Sequence, residues 1–156
     1  MDAAIAAGAR IVLAVTFVLA AVAKYARPGA VREQMRTVLW DDVAPLAAMV
    51  VPASELVLAA ALLIAWRAAW PPWCALAVLG VFTVVLVRAQ LRRVPCPCFG
   101  GASATPVGAA HVLRNGWLMA LCVLAAGPAS EASVAGAVPA SAIFAAVTVA
   151  CSAAAR

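Results

Sequence analysis

An all-α fold follows from this sequence: a polytopic transmembrane helical bundle of four core helices plus a fifth, C-terminal helix, forming one integral membrane domain over residues 1–156. Three observations predict it. The first is composition, with 67% hydrophobic and 11% charged residues, where a soluble domain carries about 45–50% and about 25%. A chain of this size folded in water still exposes roughly a third of its unfolded surface, so lipid must cover the excess. The second is the placement of charge: residues 68–87, 115–130 and 132–155 carry none, and 43–66 carry only Glu55. The third is the length of those runs, which matches the roughly 20 residues needed to cross about 30 Å of hydrocarbon. Disorder is excluded by the same apolarity. The net charge of +5 does not indicate nucleic acid, because cations flanking apolar spans are topology signals.

The first span is expected over about 5–26. Arg10, the apolar run 11–20 and the small-x-small Ala21-Val22-Ala23 also mimic a cleavable signal peptide. The rest of the chain is itself polytopic, so this helix is expected to be retained as its own insertion signal. Residues 27–45 form the longest polar connection, with Arg27, Arg32, Glu33, Arg36, Asp41 and Asp42 around Trp40. They predict an interfacial amphipathic helix with Trp40 at headgroup level. In the second span, 46–66, Pro52 is expected to kink the helix and open space beside Glu55. Trp66, Trp70, Pro71, Pro72 and Trp73 mark a tight turn at the opposite interface, before a third span over 70–89 whose Arg88 can snorkel. The fourth span, 107–126, has Thr105 as N-cap and Pro106 at the first helical position. The fifth, 134–153, is rich in Ala, Ser and Gly and contains Pro139. Its length and hydrophobicity fit a span, with a frayed tail as the alternative.

Five spans place the N-terminus and the turns near 67–70 and 127–133 on one side, with Arg10 and Arg67. The other side carries Lys24, Arg27, Arg32, Arg36, Arg88, Arg92, Arg93 and Arg156. The positive-inside rule puts that second side in the cytoplasm. The preference for Arg over Lys, with abundant Ala, points to a GC-rich bacterial genome and so to a bacterial inner membrane.

Five cysteines occur, and they are not equivalent. Cys74, Cys122 and Cys151 lie in apolar helices, where free Cys packs as a small hydrophobe. Cys96 and Cys98 sit in Val94-Pro95-Cys96-Pro97-Cys98-Phe99-Gly100-Gly101, just after Arg92 and Arg93. Thiols one residue apart close a small, compromised ring that reduces easily, which suits an exchanging bond better than a structural one. The two arginines favour thiolate. Soft-metal ligation and plain packing in a turn are the alternatives.

A carboxylate in mid-span is costly and normally paired or functional, which singles out Glu55. Arg114 lies at matching depth, about 12 Å into the fourth helix, and is expected to pair with it. His111, Arg114, Asn115 and Leu118 recur at helical spacing and share one face. That face is either a polar seam pinning the bundle or a supporting shell, in which His111 carries protons for the thiols or the polar residues surround a quinone.

The run Cys96-Pro97-Cys98-Phe99-Gly100, followed by Pro106-Val107-Gly108 and Arg114-Asn115, resembles the MauE family of methylamine-utilisation membrane proteins. Lys24, Pro52, Glu55 and Thr83 fit the same pattern, and the resemblance covers roughly residues 10–126. It implies a polytopic helical protein related to the DoxX-like group, associated with disulfide formation during maturation of methylamine dehydrogenase, beside a thioredoxin-like partner. Cys96 and Cys98 would then be the redox pair, with Glu55, Arg114 and Asn115 in support.

The expected function is thiol–disulfide exchange with a thioredoxin-fold protein or a low-molecular-weight thiol, with no metal assigned and a quinone as the candidate cofactor. One rival is a transporter or soft-metal-handling protein using the same thiols as ligands, and another is a non-catalytic assembly factor. Maturation of an exported enzyme places the thiols outside, whereas the charge count places them inside. Either the charge rule fails here, or the protein carries reducing equivalents away from cytoplasmic thiols.

Overall fold

The computed structural model describes residues 3–91, 109–127 and 134–153. Among these, six helices follow one another: α1 (Ala3–Tyr25), α2 (Pro28–Val38), α3 (Ala44–Ile64), α4 (Trp70–Leu91), α5 (Ala109–Ala125) and α6 (Val134–Ala153). The described residues contain no strand, and the chain is an all-α, multi-pass membrane protein.

Helix α1 is the hub. It packs against α3, α5 and α6, while α4 closes the arc by contacting α5 and α3. Small residues along α1 (Ala6, Ala7, Ala9, Ala14, Ala20 and Ala21) are buried and let neighbouring backbones approach closely. Larger side chains fill the centre: Leu13 and Phe17 from α1, Leu58 and Leu62 from α3, Leu79 from α4, and Leu118, Leu121 and Cys122 from α5. The outward faces of α3 and α4 leave Leu46, Met49, Val57, Ile64, Val81 and Val84 exposed, as helices bathed in lipid should.

Helices α1, α3 and α4 each contain an apolar stretch long enough to cross a membrane (Ala3–Tyr25, Ala44–Ile64 and Trp70–Arg88). In α5 and α6 the apolar stretches within the described residues are shorter, His111–Ala125 and Pro139–Ala150. The expected cap at Thr105 and Pro106 lies outside the described residues.

The polar connection after α1 does form a short helix. Pro28 opens α2 in the first turn, where its missing N–H costs nothing. Arg32, Glu33 and Arg36 are exposed while Val31 is buried. Leu39 then leaves the helix in an extended conformation, its N–H donating back to the Met35 carbonyl at 2.7 Å. Trp40, 85% exposed, stands at the junction with α3. Pro52 lies inside α3, buried, and the helix continues through it. At the opposite end, Pro71 and Pro72 occupy the first turn of α4 and are buried, while Trp70 and Trp73 are exposed.

The three cysteines expected to pack divide. Cys122 is in the core, whereas Cys74 is exposed near the start of α4, on the side of that helix that faces away from its neighbours. Cys151 is in α6, and its side chain lies outside the described residues.

Helix α6 docks on α1 through an unusually close crossing. A Cβ on Gly8 would stand 2.8 Å from the Ala140 Cβ and 2.9 Å from the Ser141 nitrogen, so glycine is what lets the two backbones meet. On its other flank α6 meets α5: the Trp117 and Phe144 rings contact edge-to-face at 6.1 Å, and the Trp117 indole N–H donates to the Thr148 hydroxyl at 3.2 Å.

Candidate functional site

Helices α1, α3, α4 and α5 enclose a cavity of about 220 Å3, with α2 along one side. Its walls are apolar, with Leu13 and Phe17 from α1, Leu79 and Phe82 from α4, and Leu118 from α5 among them. Polar side chains enter from four helices: Lys24 from α1, Gln34 from α2, Glu55 from α3, and Arg114 with Asn115 from α5. A volume of this size exceeds the roughly 30 Å3 share of one water several times over.

Glu55 is 2% exposed, and both its oxygens accept from the Lys24 ammonium, at 2.6 and 2.8 Å. Lys24 therefore takes the place expected for Arg114 as the cation on this carboxylate. The reason is reach. Lys24 ends α1 within one flexible side chain of mid-α3, because α1 and α3 pack side by side along their length. Two charge-assisted bonds offset part of the large cost of taking both ions out of water. The same Nζ lies 5.7 Å from the centroid of the Phe82 ring, within range of a cation–π attraction.

Arg114 is nonetheless in the cavity wall and buried, on the same α5 face as Asn115 and Leu118. That is the face predicted from their spacing. The Asn115 amide donates to the Thr83 hydroxyl of α4 at 3.0 Å, and Thr83 donates to the Leu79 carbonyl one turn back at 2.7 Å. This polar link joins α4 to α5. His111 lies one turn before Arg114, half-buried, and is not among the cavity-lining residues. Thus Glu55, Arg114 and Asn115 come together around one space, and His111 stands apart from it. Cys96 and Cys98 lie outside the described residues, in the segment joining α4 to α5.

The roles of two polar residues escaped sequence reasoning. Lys24 was legible as a cation near the end of an apolar run, but nothing local marked its partner. Arg10 was assigned to topology, and the structure gives it a different task. It is 1% exposed, and its guanidinium donates to three backbone carbonyls: Ala125 at 3.0 Å, Ala65 at 3.2 Å and Ala68 at 2.8 Å. These are carbonyls at the C-terminal end of α5 and in the turn after α3, where no intrahelical donor remains. The signal that flagged Glu55, a charge inside an apolar span, applied equally to Arg10.

The family described as Methylamine utilisation protein MauE matches this chain over residues 2–128. No curated protein matches it, and no solved structure does.

Proposed function

The chain belongs to the MauE family of methylamine-utilisation membrane proteins, and from that premise we propose that it is a membrane thiol–disulfide oxidoreductase whose exchanging pair is Cys96 and Cys98. The observation that carries this reading is one of connectivity. The segment bearing the two thiols joins α4 to α5, and these same helices line a buried cavity into which Asn115 and Arg114 project beside the Lys24–Glu55 pair.

In the exchange, the thiolate of one cysteine attacks a partner disulfide and expels one partner sulfur as thiolate. The second cysteine then attacks the mixed disulfide. The partner leaves as a dithiol, and Cys96 and Cys98 are left joined, so two electrons have passed to the partner. The reverse sequence oxidises a partner dithiol. Arg92 and Arg93, adjacent in sequence, favour the thiolate that either direction needs. A thioredoxin-fold protein suits the partner role, since it presents an accessible dithiol of its own.

The rest of the reading follows the same lines. The chain forms one integral membrane domain in a bacterial inner membrane, with α5 and α6 completing five spans. Arg10 and Lys24 are engaged inside the bundle and drop out of the topology tally. Arg67 then stands against Arg27, Arg32, Arg36, Arg88, Arg92, Arg93 and Arg156, which still favours a cytoplasmic dicysteine segment.

The test is alkylation of Cys96 and Cys98 in isolated membranes before and after reduction, then with an impermeant reagent on intact cells. A disulfide that forms and opens reversibly in a thiol buffer supports the oxidoreductase, and the impermeant reagent reads the face. Thiols that stay reduced in buffers that oxidise ordinary dithiols sink it.

A further inference from the structure

We propose that the cavity between α1, α3, α4 and α5 binds a single-chain amphiphile through an ionised carboxylate, with Arg114 as its counter-ion. The inference stands on the charge and shape of the cavity and is independent of thiol exchange. Charge comes first. The charged residues lining the cavity are Lys24, Glu55 and Arg114. Lys24 is fully engaged: its ammonium donates to the two Glu55 oxygens at 2.6 and 2.8 Å and to the Ala20 carbonyl at 3.5 Å. Those three acceptors match its three N–H donors, and Lys24 and Glu55 together are neutral. The lining is left with the positive charge of Arg114, which is 6% exposed.

The other acidic side chains among the described residues, Glu33, Asp41 and Asp42, are exposed and do not line the cavity. Residues 92–108, which lead into α5, add Arg92 and Arg93 and no carboxylate. A net charge in an apolar membrane interior is costly until a counter-charge joins it. The lining therefore selects an anion over a neutral or cationic ligand.

Size and shape choose among anions. An apolar cavity of about 150 Å3 accepts benzene, so about 220 Å3 holds a carboxylate and several methylenes. The glycerol, phosphate and paired chains of a phospholipid do not fit in that space. A carboxylate brings the single negative charge that balances the lining, and its two oxygens meet the planar fork of a guanidinium. Phe17, Phe82 and Leu86 supply apolar wall for the first methylenes. Access is lateral. Leu39 and Val81 line the cavity and are 40% and 65% exposed, so the space reaches the outer surface beside α2 and α4, where the rest of the chain can lie in lipid.

The experiment uses the full chain in phosphatidylcholine nanodiscs, in alkaline buffer, with a diazirine-bearing palmitate analogue as photolabel. The expected result is saturable labelling on α1, α3, α4 or α5, displaced by palmitate and not by hexadecanol. That comparison reads charge selectivity on the unaltered protein. Arg114→Gln should weaken labelling by about tenfold or more, the size of one charge-assisted hydrogen bond, and Arg114→Lys should retain part of it. Ala20→Phe, which fills the cavity without touching charge, should weaken labelling as well. Labelling that is unsaturable, displaced equally by hexadecanol, or unchanged in folded Arg114→Gln protein overturns the proposal. Equal displacement by phosphatidylglycerol added to the nanodiscs overturns it too, by assigning the charge to a lipid phosphate on the outer surface.

Discussion

Arg10 and the Lys24–Glu55 pair show how a membrane protein of this size handles buried charge in two different ways. Glu55 and Lys24 neutralise each other through two short bonds, with their side chains 3% and 12% exposed. Removing one partner strands the other in an apolar cavity, so Lys24→Met or Glu55→Leu should each destabilise the protein by about 3 kcal/mol. The double variant should lose clearly less than the two singles summed, read by thermal unfolding in detergent. Strict additivity would show that the pair contributes no coupling. Arg10 has no carboxylate partner among the described residues and serves three carbonyls instead. Arg10→Met removes all three donors at once and is expected to cost about 2–4 kcal/mol by the same assay. Arg10→Lys should recover little, because an ammonium lacks the planar fork that reaches three divergent oxygens. By contrast, the exposed contacts of Arg36 with Glu33 at 3.4 Å and Asp41 at 3.7 Å are worth little, and Arg36→Ala should leave stability nearly unchanged.

Helices meet here through small residues, and α6 depends on that most. Gly8 has no room for a methyl group, since the backbone nitrogen of Ser141 as well as the Ala140 Cβ would be in the way. Gly8→Ala is therefore expected to destabilise by about 1–3 kcal/mol, and Gly8→Val to release α6 from α1. Ala140→Gly should rescue Gly8→Ala only in part, because it clears the side chain and leaves the backbone. Protease sensitivity of the C-terminal helix and Trp117 emission, which reports its contact with Phe144 and Thr148, would register the change. Most helix positions were legible beforehand, because apolar runs of span length have few alternatives in lipid. The short helix α2 was also legible, from the charged residues clustered around Trp40. The docking of α6 was not, since Gly8 carries no local mark of what it will face 132 residues later.

At the scale of the whole molecule, the proposed five-span reading puts the N- and C-termini on opposite faces, with the dicysteine segment on the face of the C-terminus. Reporter fusions at both ends should therefore give opposite readouts, and impermeant alkylation of Cys96 and Cys98 should agree with the C-terminal one. Equal readouts at the two ends would mean that α5 or α6 does not cross. The central place of α1, packed on α3, α5 and α6, also makes it indispensable to the fold. Cleavage after Ala23 would remove Phe17, Leu13 and Arg10 together.

The sequence by itself determined the solvent, the helical class, the positions of the three long apolar helices and the short helix between the first two. It also determined that Arg114, Asn115 and Leu118 share a face, since hydropathy and a 3.6-residue period are local properties that lipid enforces strongly. Tertiary structure alone decided which cation meets Glu55, what Arg10 holds, and that Asn115 reaches Thr83 across the interface between α4 and α5. The physical reason is that depth along a helix can be counted from sequence, whereas rotation about its axis and the choice of neighbour cannot. By depth Arg114 was the match for Glu55, whereas Lys24 stood near the end of its span. Packing of α1 directly against α3 settled which of them closed the pair.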